Sequence, residues 1–137
     1  MTSPDAHETR SVVIEREMAH PPEKIWRALT QPHLIEEWLM TSDFNPAVGH
    51  RFRFTADWGA VDGKVLEIEA HRKVSYTWEA MGVETVVTWT LTPKDGGTLL
   101  RMEQTGFKPD QPQAYNGAQY GWRNFLGKLE QLLSRIE

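Results

Sequence analysis

The C-terminal segment constrains the fold most, because it carries the longest helical pattern in the sequence. Apolar side chains recur there at spacings of three and four residues, as on one face of an amphipathic helix. They are Trp122, Phe125, Leu126, Leu129, Leu132, Leu133 and Ile136. No proline follows Pro112, so the pattern predicts a helix of roughly 24 residues, about 36 Å long. Such a helix must bury its apolar stripe, which here requires a sheet lying across it.

The segments before this helix alternate apolar and polar residues with a period of two, which predicts β-strands. The predicted inward-facing residues of six strands are Val12, Ile14 and Met18; Phe52 and Phe54; Leu66 and Ile68; Val74, Tyr76 and Trp78; Val87, Trp89 and Leu91; and Leu100 and Met102. Short turns such as residues 93–97 connect the later strands, and connections this short permit only antiparallel neighbours. The sequence therefore predicts a six-stranded antiparallel sheet.

Two short helices are predicted between the first and second strands. Pro22 is well placed to begin the first helix, and Pro32 lies near the start of the second. The resulting order is βααβββββα, an α+β fold in which the sheet curves around the long C-terminal helix. Residues 1–10 are polar and acidic and are predicted to be disordered, whereas residues 11–137 are predicted to form a single domain, as the length of 137 residues allows.

Composition and charge argue against several classes of protein. The chain has 15 basic and 19 acidic residues, a net charge of -4, and its basic residues are too scattered to neutralise successive phosphates. The absence of cysteine excludes disulfides and Cys-ligated zinc, and is typical of a reducing compartment. The sequence shows no signal peptide and no apolar run long enough to span a bilayer. We therefore expect a cytoplasmic protein with no nucleic-acid partner and no membrane insertion.

Motifs that would carry catalytic, metal or cofactor chemistry are missing from the sequence. The histidines stand alone, with no pair at the spacing that brings two imidazoles to one metal ion: His7, His20, His33, His50 and His71. Neither a glycine-rich phosphate loop nor a serine nucleophile elbow occurs. Most carboxylates fall on the outward phase of the strands, although Asp57 and Glu69 could turn inward. We therefore predict no catalytic residue, no metal and no cofactor.

Several local phrases of the sequence are distinctive: Ile25-Trp26-Arg27-Ala28-Leu29-Thr30, residues 63–68, Tyr76-Thr77-Trp78, Thr105-Gly106-Phe107 and Gly121-Trp122. In these phrases the chain resembles the START-like superfamily, to which the major birch-pollen allergen and polyketide cyclases belong. Within the superfamily the chain is similar to the family named after the C-terminal domain of the heat-shock protein 90 ATPase activator.

The resemblance implies the helix-grip fold over about residues 11–135, and the family name suggests a context of stress response. Two features depart from the family's pattern. His50 stands where the family often has a second glycine, and the N-terminal domain of the eukaryotic activator has no counterpart in this sequence. The second departure makes a chaperone-activating role less expected.

We expect the helix and sheet to enclose an aromatic-lined cavity. Gly121 precedes Phe125 by one helical turn, as Ala118 precedes Trp122, so small residues occupy the N-terminal half of the stripe. A mid-helix glycine costs up to about 1 kcal/mol relative to alanine, so a close-packed core would not need one at Gly121. The alternative is close packing of the helix backbone against a tryptophan.

Fifteen residues are candidates for ligand binding. Most are aromatic or apolar side chains on the inward phase of the sheet and on the apolar stripe of the helix: Trp38, Phe52, Phe54, Trp58, Tyr76, Trp78, Trp89, Met102, Tyr115, Ala118, Gly121, Trp122 and Phe125. Gln104 could offer a neutral hydrogen-bonding pair to a ligand oxygen, or could simply face water. Arg16 lies on the inward phase of the first strand, where it should pair with a carboxylate, reach the rim or face a polar ligand group.

The leading prediction is that the protein binds a small hydrophobic or aromatic ligand, because such a lining is typical of apolar ligand sites. One alternative is a cyclase or aromatase acting on a polyketide-like substrate, with Arg16 or Tyr115 orienting an enolate. Another is a co-chaperone-like interaction module that activates a chaperone ATPase, which would need an exposed docking patch. Self-association into a homodimer through the threonine-rich sheet face stays open.

Overall fold

The computed structural model describes residues 9–136, which form a sheet, two short helices and a long C-terminal helix. The elements are β1 (Arg10–Met18), α1 (Pro22–Thr30), α2 (Pro32–Trp38), β2 (Thr41–Ser42), β3 (Arg51–Ala56), β4 (Gly59–Glu69), β5 (Lys73–Ala80), β6 (Val83–Lys94), β7 (Gly97–Phe107) and α3 (Pro112–Arg135). The strands form one antiparallel sheet in the order β1-β7-β6-β5-β4-β3-β2. The predicted α+β class and the placement of the three helices are confirmed.

The predicted number of six strands is wrong, because the described residues form seven. The additional strand is β2, in which Thr41 pairs with Thr55 and Ser42 with Phe54. Two residues are too few to show an alternation in the sequence, so no periodicity could reveal this strand. The Ser42 hydroxyl then accepts the Phe44 backbone N–H at 2.9 Å as Phe44 enters the core.

The prediction that Leu66 faces inward is also wrong. Val65 is 1 % exposed, whereas Leu66 is 42 % exposed. The pairing of β4 with β5 shifts register between Val65 and Glu67. A bulge of this kind inverts the alternation of inward and outward side chains. In a run with apolar residues on both phases, the sequence alone could not show where that inversion occurs.

The long helix α3 packs against α1, α2, β1 and β7. Its buried side chains lie mostly in its C-terminal half: Trp122, Leu126, Leu129, Leu132 and Leu133. In the N-terminal half, by contrast, Ala114, Ala118 and Gly121 are only partly buried. The helix is therefore closely covered at one end and leaves space against the sheet at the other.

The N-terminal segment predicted to be disordered, residues 1–10, lies mostly outside the described residues, and Arg10 already belongs to β1. None of the helices within residues 9–136 combines the length and apolar character needed to cross a membrane.

Candidate ligand-binding cavity

A cavity of about 370 Å³ lies between the N-terminal half of α3 and the end of the sheet formed by the β5–β6 hairpin. This volume is within the range of small-molecule sites. Its walls come from the β3–β4 turn, the hairpin, β7 and α3: Trp58; Trp78, Ala80, Met81 and Val83; Gln104 and Phe107; and Gln113, Ala114, Gly117, Ala118, Gly121, Trp122 and Phe125. Trp58 and Met81 are 53 % and 84 % exposed, which places them at the mouth.

Two glycines of α3, Gly117 and Gly121, belong to the cavity wall. Apart from the two chain neighbours and the helix's own backbone, a Cβ atom added at either position would meet no heavy atom within 4 Å. The two residues are four positions apart, so they lie one above the other on the helix surface. The helix backbone is thus not packed closely against a tryptophan at Gly121, and the alternative explanation of that glycine is wrong.

Seven of the fifteen candidate residues border this cavity. They come from the β3–β4 turn, from β5, from β7 and from α3: Trp58, Trp78, Gln104, Ala118, Gly121, Trp122 and Phe125. The structure therefore brings together candidates from four separate segments of the chain.

Six other candidates are core residues that do not border the cavity: Trp38, Phe52, Phe54, Tyr76, Trp89 and Met102, each at most 4 % exposed. The aromatic rings among them contact one another: Trp38 meets Trp89 edge-on with ring centroids 5.8 Å apart, and the ring centroids of Phe52 and Phe54 are 4.8 Å apart. Packing of aromatic side chains fills the space there. Periodicity could show that these residues face inward, but not how far they lie from the open end.

The hydroxyl of Tyr76, one of the aromatic candidates, is hydrogen-bonded inside this core. It accepts a hydrogen bond from the Trp89 indole N–H at 2.8 Å. Burial raises the pKa of the Tyr76 phenol well above its usual value, and the bond to Trp89 opposes this only in part. Tyr76 is therefore neutral and structural in this arrangement.

Arg16 and Tyr115 both lie away from the cavity lining. Of the three placements open to Arg16, the structure shows the carboxylate pair: its Nη1 lies 2.6 Å from Glu130 Oε1, and its Nη2 donates to the Arg123 carbonyl at 3.3 Å. Tyr115 packs edge-on against Phe107 at 5.7 Å, with the Arg10 guanidinium 5.3 Å above its ring. Neither side chain is therefore placed to orient a substrate within the cavity.

Sequence reasoning missed half of the lining: Ala80, Met81, Val83, Phe107, Gln113, Ala114 and Gly117. For the helix a signal was present, because Ala114, Gly117, Ala118 and Gly121 form a stripe of small residues at helical spacing. For the hairpin there was none, since its place opposite α3 depends on how the sheet curves.

The buried polar group of the cavity wall is the Gln104 carboxamide, held in a directed chain of hydrogen bonds. The Trp122 indole N–H donates to Gln104 Oε1 at 2.6 Å, and Gln104 Nε2 donates to the Thr85 hydroxyl at 2.8 Å. That hydroxyl donates in turn to the Trp78 carbonyl at 3.0 Å. An indole N–H can only donate, so Trp122 fixes which end of the amide is oxygen.

No ionisable side chain borders the cavity within the described part of the chain. Five of the lining residues are aromatic, and Gln104 and Gln113 carry the two carboxamides. Residues 9–136 also contain no group of three or more His, Asp or Glu side chains that could hold a metal ion. The cavity can therefore enclose an apolar ring without removing a charge from water.

The sequence profile of the family described as Activator of Hsp90 ATPase homolog 1-like protein matches residues 19–134. The chain belongs to this family. Membership of the START-like superfamily, to which the sequence phrases pointed, is likewise confirmed. A comparison with curated proteins gave no match.

Several solved structures share the fold of this chain. Protein MLL2253 from Mesorhizobium loti is 58 % identical, with a TM-score of 0.90 over 93 % of this chain and 99 % of that one. CalU16 from Micromonospora echinospora is 26 % identical, with a TM-score of 0.82 over 98 % and 82 %. DynU16, a protein in the dynemicin biosynthetic locus, is 24 % identical, with a TM-score of 0.81 over 90 % and 47 %, and shows the fold alone.

Proposed function

We propose that this protein binds a small hydrophobic or aromatic molecule in the cavity between α3 and the β5–β6 end of the sheet. The observation that carries the proposal is the bare helix surface at Gly117 and Gly121, which faces open space bordered by Trp78 and Trp122. Glycines inside a helix lower its stability, and nothing would offset that cost if they only loosened the core. Room for a ligand would explain why glycines occupy these positions.

The walls suit a flat apolar ligand. A two-ring molecule has a surface comparable to that of a large aromatic side chain, so burying roughly 200 Å² contributes about 5 kcal/mol. Lost translational and rotational freedom offsets part of this gain. Trp58 and Met81 at the mouth give such a ligand apolar contacts on entry.

The two alternative functions have less support in the geometry. A cyclase or aromatase would have to act by confining a reactive chain, because the lining within residues 9–136 supplies no acid or base. For chaperone activation or homodimer formation, the outer sheet face offers the hydroxyls of Thr88, Thr90 and Thr92 rather than an apolar patch.

The proposal is tested by filling the cavity from the helix side. Gly121→Leu would project its side chain into the open space, and we expect the Kd for naphthalene, followed by tryptophan fluorescence or calorimetry, to rise at least about tenfold. Gly127→Leu is the matched control, because Gly127 lies on the same helix with nothing within 4 Å of its Cβ position but does not border the cavity.

Circular dichroism and thermal unfolding establish that both variants keep the fold. We expect Gly127→Leu to bind naphthalene like the parent chain. Equal affinity in the parent and in Gly121→Leu would contradict binding at this site.

A further inference from the structure

We propose that Gln104 selects, among apolar molecules that fit the cavity, those carrying a neutral hydrogen-bond acceptor such as a ketone oxygen. This inference rests on the proposed function and adds the chemical class of the ligand. It rests on the hydrogen-bonding groups of the Gln104 carboxamide that have no partner within residues 9–136.

The carboxamide has two N–H donors and an oxygen with two lone pairs. Trp122 occupies one lone pair of Oε1, and Thr85 accepts one of the two N–H groups. Within residues 9–136 the second N–H has no acceptor. Gln104 is 2 % exposed and borders the cavity, so its carboxamide is shielded from bulk water, and the proposal takes the second N–H to face the contents of the cavity.

The unused donor matters more than the unused lone pair. Buried carbonyl oxygens commonly use only one of their lone pairs, whereas a buried N–H without an acceptor is rare. The amide also cannot rotate to exchange its ends, because Trp122 offers only a donor and must face the oxygen. The wall therefore presents a fixed N–H donor.

The neutrality of the lining restricts the acceptor. A carboxylate would match an N–H donor, but no cationic side chain among the described lining residues would offset its desolvation. A carbonyl oxygen has no such cost. The wall is thus matched to an uncharged aromatic or apolar carbonyl compound.

The direct test compares two ligands of similar shape in the unaltered protein: 2-acetylnaphthalene, a ketone, and 2-isopropenylnaphthalene, its hydrocarbon counterpart. Nitrogen-15 NMR resolves the two protons of the Gln104 side-chain amide. We expect the ketone to shift one of them further downfield at saturation than the hydrocarbon does, while both ligands move the indole signals of Trp78 and Trp122.

Equal effects of the two ligands on the Gln104 protons, with both bound, would overturn the inference while leaving the cavity as a ligand site. If neither ligand moved the indole signals of Trp78 and Trp122, the proposed function itself would fail. The two failures are therefore distinguishable in one pair of titrations.

A variant gives the size of the effect. Gln104→Met keeps the length of the side chain but removes the donor, so the ratio of the Kd for the hydrocarbon to the Kd for the ketone should fall about three- to tenfold. 2-Naphthoate, the carboxylate of the series, should bind more weakly than the ketone in the parent protein. An unchanged ratio in a folded Gln104→Met variant would contradict selection by this residue.

Discussion

At the residue scale, Trp122 joins the packed core to the cavity. Its ring lies 5.1 Å from that of Trp78 and 5.6 Å from that of Trp89, while its indole N–H holds Gln104. One side chain therefore supplies a cavity wall, a core contact and the hydrogen bond that orients the polar group. The aromatic content of the sequence predicted the first two roles, but no pattern could predict the third, because Gln104 meets Trp122 only in the folded chain.

Replacing Trp122 by Phe should separate the hydrogen bond from much of the packing. The change leaves buried Gln104 Oε1 without its donor, so we expect the free energy of unfolding to fall by about 1–3 kcal/mol in urea denaturation. Trp58→Phe is the control, since Trp58 is 53 % exposed and should change stability by less than about 0.5 kcal/mol. Equal stability of Trp122→Phe and the parent would show that the bond contributes nothing.

His20 should make stability depend on pH. Partial burial lowers the pKa of His20, the nearby Lys24 charge lowers it further, and Glu130 opposes the shift. Because the pKa of His20 is lower in the folded state than in the unfolded state, its contribution to the free energy of unfolding is complete above the unfolded pKa of about 6.5. That contribution is lost as the pH falls toward the folded pKa. We expect urea midpoints to drop more between pH 7.5 and pH 5.5 in the parent than in His20→Gln; parallel curves would contradict this.

At the element scale, glycines on a strand and on the helix have opposite roles. A Cβ at Gly63 in β4 would collide with the Phe52 ring and the Thr77 carbonyl oxygen, whereas one at Gly121 in α3 would meet nothing. The strand glycine permits close packing, and the helix glycine keeps space open. The sequence showed both as glycines inside periodic elements, and could not show which neighbour each one met.

The same substitution at these two positions should therefore change stability in opposite directions. Gly63→Ala forces its neighbours apart, and we expect a loss of about 1–3 kcal/mol in the free energy of unfolding. Gly121→Ala gains helix propensity without a clash and should stabilise the protein by up to about 1 kcal/mol. Denaturant unfolding of the two variants tests both expectations. Destabilisation by Gly121→Ala would mean that α3 is closely packed at Gly121.

A strand or helix could be predicted from the sequence where its apolar side chains recur with a regular period. The alternation of β1 and β7 and the stripe of α3 located these elements and their inward faces, except where a local irregularity intervened. The two-residue strand β2 is too short to show a period, and the bulge after Val65 inverts the alternation of inward and outward side chains in β4. Both features depend on pairing with a neighbouring strand, which a single sequence does not display.

At the scale of the whole molecule, the cavity depends on uneven contact between the sheet and α3. The C-terminal half of α3 buries Leu126, Leu129 and Leu133, while the N-terminal half stands off the hairpin end of the sheet. The sequence predicted that the helix would be gripped and that space would open near Gly121. It placed too many aromatic residues around that space, because inward orientation does not fix position along the sheet.

The six tryptophans provide the most direct measurement of this central claim. Trp58, Trp78 and Trp122 border the cavity, whereas Trp26 and Trp38 are buried elsewhere. In a titration of the parent protein with 2-acetylnaphthalene, followed by nitrogen-15 NMR of the indole N–H groups, we predict saturable shifts for the first three and no shift for Trp26 and Trp38. Shifts at Trp26 and Trp38 without any at Trp78 and Trp122, or no saturable shift at all, would contradict an open ligand-binding cavity beside Gly121.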